Sequence, residues 1–223
     1  TLAISSAASD VYKRQPPWSV DRVHSYHTNG QNIQSYPTTG EGVADSEAPI
    51  PLAVDLDGTL ILTDMSWISI RKVILPRPWR IFRFLWLELS GRRATWKQDL
   101  GRLLEFDPEN LDYHPTFMEW LTGEYARGRK LYLVTASDRL IAESIAAHIG
   151  IFDDVMASDG KVNLRGKNKA EALIARFGKG KFGYAGNSHI DIPVWDAAGQ
   201  VIVVNPERGL QDRVGETADI IFI

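Results

Sequence analysis

The chain has 223 residues, of which 44% are hydrophobic and 24% charged, a composition typical of one globular domain with room for an insertion. Its 25 basic side chains nearly balance 28 acidic ones, and the net charge of −3 argues against a nucleic-acid partner. The absence of cysteine excludes a disulfide framework, a thiolate zinc site and a cysteine nucleophile, and it fits the cytoplasm, where we expect the protein to reside.

The first 49 residues are predicted to form a disordered tail. Residues 5–15, SSAASDVYKRQ, resemble a translated sequencing adapter, so residues 1–15 are treated as non-native sequence. Residues 16–49 are mostly Ser, Thr, Asn, Gln, Gly, Pro and His, which bury too little apolar surface to offset the entropy of ordering. The ordered domain is therefore expected to begin at about residue 50.

Strand and helix patterns then alternate along the chain. Residues 52–59 predict a short buried strand that runs into a glycine turn. A helix with the apolar stripe Ile141, Ile145 and Ile149 is predicted to begin after an N-cap at Ser137 or Asp138. Further strands are predicted at residues 130–135, 154–157, 182–185 and 200–204, and a second helix at about 168–177. This alternation predicts an α/β fold whose parallel sheet is covered on both faces.

Asp55 and Asp57 directly follow the first predicted strand. Residues two apart on an extended chain project to the same side. Two carboxylates ~4 Å apart repel by ~4 kcal/mol at an effective dielectric near 20, so a cation is expected between them. A solvated turn is the ordinary alternative, but it leaves unexplained why the other polar clusters also follow strands.

The remaining polar clusters complete a predicted site at the carboxyl edge of the sheet, where ligands bind in such folds. Asn187 and Asp191 follow another strand, and together with Asp55 and Asp57 they offer the oxygen ligands that Mg²⁺ prefers. Lys169 at a helix start, and Thr135 with the backbone from Ala136 onward, are predicted to bind phosphate.

These motifs, in this order, resemble the haloacid dehalogenase-like hydrolase superfamily. The resemblance implies a doubly wound, Rossmann-like core, with Asp55 as the nucleophile and Asp57 as the general acid/base. It implies the motif II hydroxyl at Thr135, the motif III lysine at Lys169, and metal binding by Asn187 with Asp191. The expected function is a Mg²⁺-dependent phosphomonoesterase that acts on a small phosphorylated substrate through an aspartyl-phosphate.

Three points in the motifs stay open. The first position of motif IV is usually Asp in this superfamily, and the Asn187 found here implies weaker metal affinity. Lys167 lies two residues before Lys169 and competes for the phosphate-binding role, although the residues after Lys169 follow the family pattern better. His189, inside the metal loop, is interpreted as a surface histidine rather than a substrate contact.

Residues 61–129 are predicted to form a helical cap inserted after the first strand, between core segments 50–60 and 130–223. Helices are expected at residues 68–75, 79–89, 96–104 and 115–127. Residues 76–102 carry seven basic and two acidic side chains interleaved with aromatic ones. The ordinary interpretation is a cap core with solvated arginines; the alternative is a surface that contacts anionic lipid or an anionic apolar substrate.

The segments PLAVDLDGTLILTD, LVTAS, NLRGKNKAEAL and YAGNSHIDIPVWDAA further resemble the phosphatase-like domain that precedes UbiA-like membrane prenyltransferases in bacterial fusion proteins. This resemblance implies that the chain is a fragment whose C-terminal membrane domain is missing. Two other functions stay open beside the phosphatase: a phosphotransferase or mutase with the same intermediate, and a non-catalytic regulatory domain of the membrane enzyme.

Overall fold

The computed structural model describes residues 49–63, 82, 107–159 and 162–223. The predicted tail lies outside the described residues apart from Pro49. The same holds, apart from Phe82, for the three cap helices expected at residues 68–75, 79–89 and 96–104, and for the basic, aromatic segment 76–102.

Six strands form one parallel sheet in the order β3-β2-β1-β4-β5-β6. They are β1 (Leu52–Val54), β2 (Leu131–Asp138), β3 (Asp154–Ser158), β4 (Gly183–Gly186), β5 (Gln200–Val204) and β6 (Ile220–Phe222). β1 lies between β2 and β4, and its three residues are fully buried because both faces of the sheet are covered. The predicted parallel α/β fold is confirmed.

The helices of the described residues follow the strands, as in a doubly wound fold. They are α1 (Pro115–Ala126), α2 (Arg139–Ile149), α3 (Lys167–Phe177), α4 (Ile192–Trp195) and α5 (Gln211–Val214), with 3₁₀ turns at Pro108–Asn110 and His189–Asp191. Asp138, rather than Ser137, caps α2, since its Oδ1 accepts a hydrogen bond from the backbone N–H of Leu140 at 3.0 Å. None of the described helices has the length and apolar character needed to cross a membrane.

Two hydrophobic cores lie on opposite faces of the sheet. Leu52 and Val54 of β1 belong to the first core, with α1 and α2, while Ala53 belongs to the second, with α3 and α4. This division follows from the alternation of side chains along a strand. The predicted stripe Ile141, Ile145 and Ile149 of α2 is buried in the first core.

Helix α1 packs with the sheet, although we expected it at the end of the cap. Its buried residues Phe117, Met118 and Leu121 belong to the first core, and the Phe117 ring lies 5.2 Å from that of Phe222 on β6. The backbone N–H of His114, the N-cap residue of α1, donates to the Leu60 carbonyl at 3.0 Å. The core packing therefore includes residues inside the predicted cap range, namely Tyr113, Phe117, Met118, Trp120 and Leu121.

Candidate active site

A cavity of about 530 Å³ opens at the edge of the sheet where β1, β2 and β4 end. In a parallel sheet the carboxyl ends of all strands meet at one edge, which brings polar residues from distant parts of the chain together. Its polar lining comes from Asp55, Asp57, Ser137, Arg165, Lys169, Asn187, Ser188, Asp191, Asn205 and Glu207.

Lys169 joins two of the predicted carboxylates. Its Nζ lies 2.9 Å from Oδ1 of Asp55 and 3.6 Å from Oδ1 of Asp191. Its side chain is buried because α3 starts at the cavity and directs residue 169 inward, whereas Lys167 is exposed. The carboxylates of residues 55 and 191 thus lie close enough to contact one cation, which here is the ammonium of Lys169.

A tyrosine of β4 also takes part in this cluster. The Tyr184 hydroxyl accepts a hydrogen bond from Lys169 Nζ at 2.8 Å and donates one to Oδ1 of Asp191 at 2.8 Å. Asp191 also closes the turn after β4, since its Oδ2 accepts from the backbone N–H of Ser188 at 3.2 Å. This carboxylate is 2% exposed and held from two sides.

Asp57 lines the cavity beside the end of β2. The Ser137 hydroxyl donates a hydrogen bond to its Oδ2 at 2.7 Å. The Thr135 Oγ1 in turn accepts from the backbone N–H of Ser137 at 3.0 Å, which shapes the end of β2. Thr135 is fully buried, and Ala136 and Ser137 line the cavity in its place.

The Asn187 side chain packs against the turn at residues 57–59, which follows β1. Its Oδ1 lies 3.5 Å from the Thr59 hydroxyl, a weak contact. Gly58 has a φ of 74°, and a Cβ added there would lie 2.2 Å from Nδ2 of Asn187. Glycine is therefore required at position 58, both for its backbone conformation and because Asn187 occupies the space of a side chain.

The electrostatics of the cluster are dominated by burial and by an excess of negative charge. Burial raises the pKa of Asp55 to about 7 against the opposing attraction of Lys169, and repulsion by Asp191 and Asp57 adds to the rise. Burial alone would lower the pKa of Lys169, but attraction by Asp55 and Asp191 outweighs it and raises that pKa. One buried ammonium thus contacts two carboxylates, and a third, that of Asp57, lines the same cavity.

The donor set of this cavity fits Mg²⁺ in its chemistry. Among the described residues, no three acidic or histidine side chains converge closely enough to hold a metal ion by themselves. Mg²⁺ does not need such a cage, because it keeps several waters and is commonly held by one or two carboxylates together with substrate phosphate. The carboxylates of Asp55, Asp57 and Asp191 and the amide of Asn187, all in the cavity lining, meet that requirement, and a dication would offset their excess charge.

The structure therefore brings together Asp55, Asp57, Ala136, Lys169, Asn187 and Asp191 around one cavity, with Thr135 behind its lining. His189 lies outside the lining, and its backbone N–H donates to Oε2 of Glu207 at 3.1 Å. The contacts made by Ser137 and Tyr184 are additions to the predicted set. A tyrosine in a strand otherwise made of small residues signals a hydroxyl that needs a buried partner, but this pattern does not name the partner.

A family model described as haloacid dehalogenase-like hydrolase matches residues 52–195. An uncharacterised protein, y4nM, of Sinorhizobium fredii (strain NBRC 101917 / NGR234) is 35% identical over 167 residues, which are 75% of this chain and 32% of that protein. The chain thus spans about a third of the length of this curated relative.

Solved structures resemble the fold at low sequence identity. A protein of unknown function from Bordetella pertussis Tohama I has a TM-score of 0.61 at 18% identity, covering 79% of this chain and 99% of that one. A substrate-bound phosphoserine phosphatase has a TM-score of 0.52 at 16% identity, covering 79% and 94%. A phospho-aspartyl intermediate analogue of phosphoserine phosphatase has a TM-score of 0.51 at 17% identity, with the same coverage.

Proposed function

The chain belongs to the haloacid dehalogenase-like hydrolase family, and we propose that it is a Mg²⁺-dependent phosphomonoesterase that forms an aspartyl-phosphate on Asp55. One observation carries the proposal: the buried ammonium of Lys169 contacts Asp55 and Asp191 at the wall of an open cavity that Asp57 also lines. A nucleophile, an acid/base and a phosphate-binding cation thus face the same space.

In the proposed reaction an oxygen of Asp55 attacks the phosphorus of a phosphate monoester. The bond between phosphorus and the alcohol oxygen breaks, and protonated Asp57 gives its proton to the leaving alcohol. Water then attacks the aspartyl-phosphate while Asp57 takes a proton from it, which releases inorganic phosphate and restores both carboxyl groups. The Ser137 hydroxyl orients Asp57 for both proton transfers.

Charge compensation would come from two sources. Lys169 favours the ionised form of Asp55 before attack and can bind the phosphoryl oxygens. Asp55, Asp57, Asn187 and Asp191 would hold Mg²⁺, which supplies positive charge for the phosphoryl group. Phosphoserine phosphatase, one of the structurally similar proteins, is known with a phospho-aspartyl intermediate analogue, which supports the same chemistry here.

Hydrolysis of p-nitrophenyl phosphate by the full chain, with and without Mg²⁺, tests the proposal. We expect turnover that requires Mg²⁺ and is lost in Asp55→Asn by about 10³-fold or more, since the nucleophile is removed. Asp196→Asn is the matched control, because this aspartate is exposed and outside the cavity lining. Equal turnover in wild type and Asp55→Asn would refute the mechanism. Phosphate transferred to an added alcohol, in place of free phosphate, would indicate the phosphotransferase.

The activity and partners of a longer protein that contains this domain are further proposals, because y4nM extends well beyond the matched segment. We propose that the longer protein is a fusion to a membrane prenyltransferase, in which this domain could have a regulatory role, and that the domain is located in the cytoplasm. We also propose that residues 76–102 contact anionic lipid. Flotation of the full chain with anionic vesicles tests the lipid contact, and a lack of flotation would remove it.

A further inference from the structure

Tyr184 has a hydroxyl group that its packing in the second core does not explain. The residue is fully buried in the second core, and its ring meets that of Trp195 edge to face at a centroid distance of 6.1 Å. A Cβ added to Gly186 would lie 2.8 Å from Cε1 of the tyrosine, so the ring is closely confined. Phenylalanine would fill the same space, and the hydroxyl therefore needs a separate explanation.

The direction of both hydrogen bonds made by this hydroxyl is determined by its partners. An ammonium only donates, so Lys169 donates to the tyrosine oxygen, and the single phenolic proton points to Asp191. The group is a fixed, uncharged bridge between a cation and an anion.

The two carboxylate distances of Lys169 are unequal, and the tyrosine hydroxyl contacts both the ammonium and the more distant carboxylate. The ammonium lies 2.9 Å from Asp55 but 3.6 Å from Asp191, and the tyrosine oxygen stands at 2.8 Å from both the ammonium and Asp191. Without the hydroxyl, attraction in this buried setting would draw Lys169 closer to Asp191 than the present 3.6 Å. The ammonium would then move away from Asp55 and neutralise a proposed metal ligand.

We propose that Tyr184 is a positioning residue whose hydroxyl keeps Lys169 nearer to Asp55 than to Asp191, leaving more of the Asp191 charge available to a divalent cation. This inference rests on the proposed function for its catalytic consequence. Its consequence for metal binding can be measured without any substrate. The residue acts through its neighbours and does not itself touch the phosphate.

Tyr184→Phe tests this role, with Tyr132→Phe as the matched control. Tyr132 lies on β2, which β1 separates from β4, and packs on the same core, where its ring contacts Phe177 at 4.9 Å and stacks under Arg176. The control therefore removes a strand hydroxyl on the same face of the sheet without touching Lys169. Thermal unfolding of both variants shows whether each still folds.

The first measurement is Mg²⁺ binding by isothermal titration calorimetry on the full chain without substrate. We expect Tyr184→Phe to bind Mg²⁺ about tenfold more weakly than wild type, the loss typical of one hydrogen bond to a charged group. Tyr132→Phe is expected to bind like wild type. Equal Mg²⁺ affinity in wild type and Tyr184→Phe, or no binding by wild type, would overturn the proposal.

The second measurement is p-nitrophenyl phosphate hydrolysis across Mg²⁺ concentrations. In Tyr184→Phe we expect the half-saturating Mg²⁺ concentration to rise about tenfold and kcat at saturating Mg²⁺ to fall, because Lys169 has left Asp55. A tyrosine with only a packing role would change the melting temperature and leave both quantities unchanged. If wild type shows no turnover, the phosphatase proposal fails, and the calorimetric comparison still decides the role of Tyr184.

Discussion

Among the residues that the structure describes, two buried cations lie at opposite ends of the sheet and have very different surroundings. Arg129, 4% exposed at the amino end, pairs with Glu124 at 2.7 Å, donates to the Gln200 amide oxygen at 2.6 Å and donates to the Ile50 carbonyl at 2.9 Å. Lys169, 2% exposed at the carboxyl end, has Asp55 and Asp191 beside it, with Asp57 in the same cavity.

The difference separates a structural ion pair from a candidate active site. At the amino end each edge of the guanidinium has its own acceptor, and Glu124 is also shared with Arg127 at the surface. The buried charge of Arg129 is paired there, and Nε, Nη1 and Nη2 each have an acceptor, which favours a structural link between the starts of β1, β2 and β5. At the carboxyl end the negative charge exceeds the positive beside an open cavity, an arrangement that costs stability unless a further cation and a ligand bind.

The largest expected effect is on catalysis at the carboxyl end. Lys169→Met keeps a side chain of similar length and removes the ammonium, and we expect kcat/KM for p-nitrophenyl phosphate to fall by about 10²- to 10³-fold. The fold is expected to survive, because Lys169 is what holds the raised pKa of the buried Asp55 down, and without it this carboxyl can bind a proton. Steady-state kinetics at saturating Mg²⁺ measure the effect.

Lys167→Met is the matched control for this variant. Lys167 lies on the same first turn of α3 but is exposed, and it was the sequence alternative for the phosphate-binding lysine. Its removal should change kcat/KM by less than about threefold, as for an exposed charge. A larger loss in Lys167→Met than in Lys169→Met would contradict the assignment of roles.

The second effect is on stability at the amino end. Arg129→Met leaves Glu124 without its buried partner and the Ile50 carbonyl without a donor, so we expect the free energy of unfolding to fall by about 3 kcal/mol. Arg127→Met removes the exposed ion pair to the same glutamate and should cost about 0.5 kcal/mol or less. Urea unfolding of both variants gives these values.

The turnover number of the folded fraction distinguishes the effect of Arg129→Met, which is on stability, from the effect of Lys169→Met, which is on catalysis. Arg129→Met is expected to keep the kcat of the folded fraction within about twofold, since its contacts lie at the far end of the sheet. The comparison between the two ends would be lost if Arg129→Met abolished turnover while leaving stability intact.

The sequence predicted which residues line the cavity, but it did not predict the contacts that these residues make with one another. Short apolar strands followed by polar residues identified Asp55, Asp57 and Asn187, because each motif is local in the sequence. The bridge from Tyr184 to Lys169 spans 15 residues, and the contact of Arg129 with Gln200 spans 71. Such pairs depend on which strands become neighbours, and no periodicity of one segment contains that information. The N-cap was ambiguous for a similar reason, since Ser137 is drawn to Asp57, 80 residues away.

A smaller effect is expected from Asn187→Asp, which increases the excess negative charge at the carboxyl end. An additional carboxylate beside a divalent cation contributes on the order of 1–2 kcal/mol after screening, so the half-saturating Mg²⁺ concentration should fall roughly tenfold. Asn205→Asp places the same charge elsewhere on the cavity wall and should have a weaker effect. An Mg²⁺ requirement that is unchanged or higher in Asn187→Asp would count against Asn187 as a metal ligand.

The smallest expected effect is on the pH dependence of stability, and it comes from His114. This buried side chain is kept uncharged, unlike Arg129 and Lys169. Burial lowers the pKa of His114, and its Nδ1 caps α1 by accepting from the backbone N–H of Phe117 at 3.3 Å. The folded state thus binds a proton less readily than the unfolded chain, whose histidine has a pKa of about 6.5. This contribution to stability is fully present above pH 6.5 and is lost as the pH falls below it toward the lowered pKa of the folded state.

His114→Asn should remove that pH dependence while retaining a cap, because asparagine is a strong N-cap residue and does not titrate. Urea unfolding at pH 7.5 and pH 5.5 is the measurement, with every other titrating group common to both proteins. The loss of unfolding free energy on acidification should be smaller in His114→Asn than in wild type. Equal losses would mean that His114 becomes protonated as readily in the folded chain as in the unfolded one, and that burial in the first core does not keep it neutral.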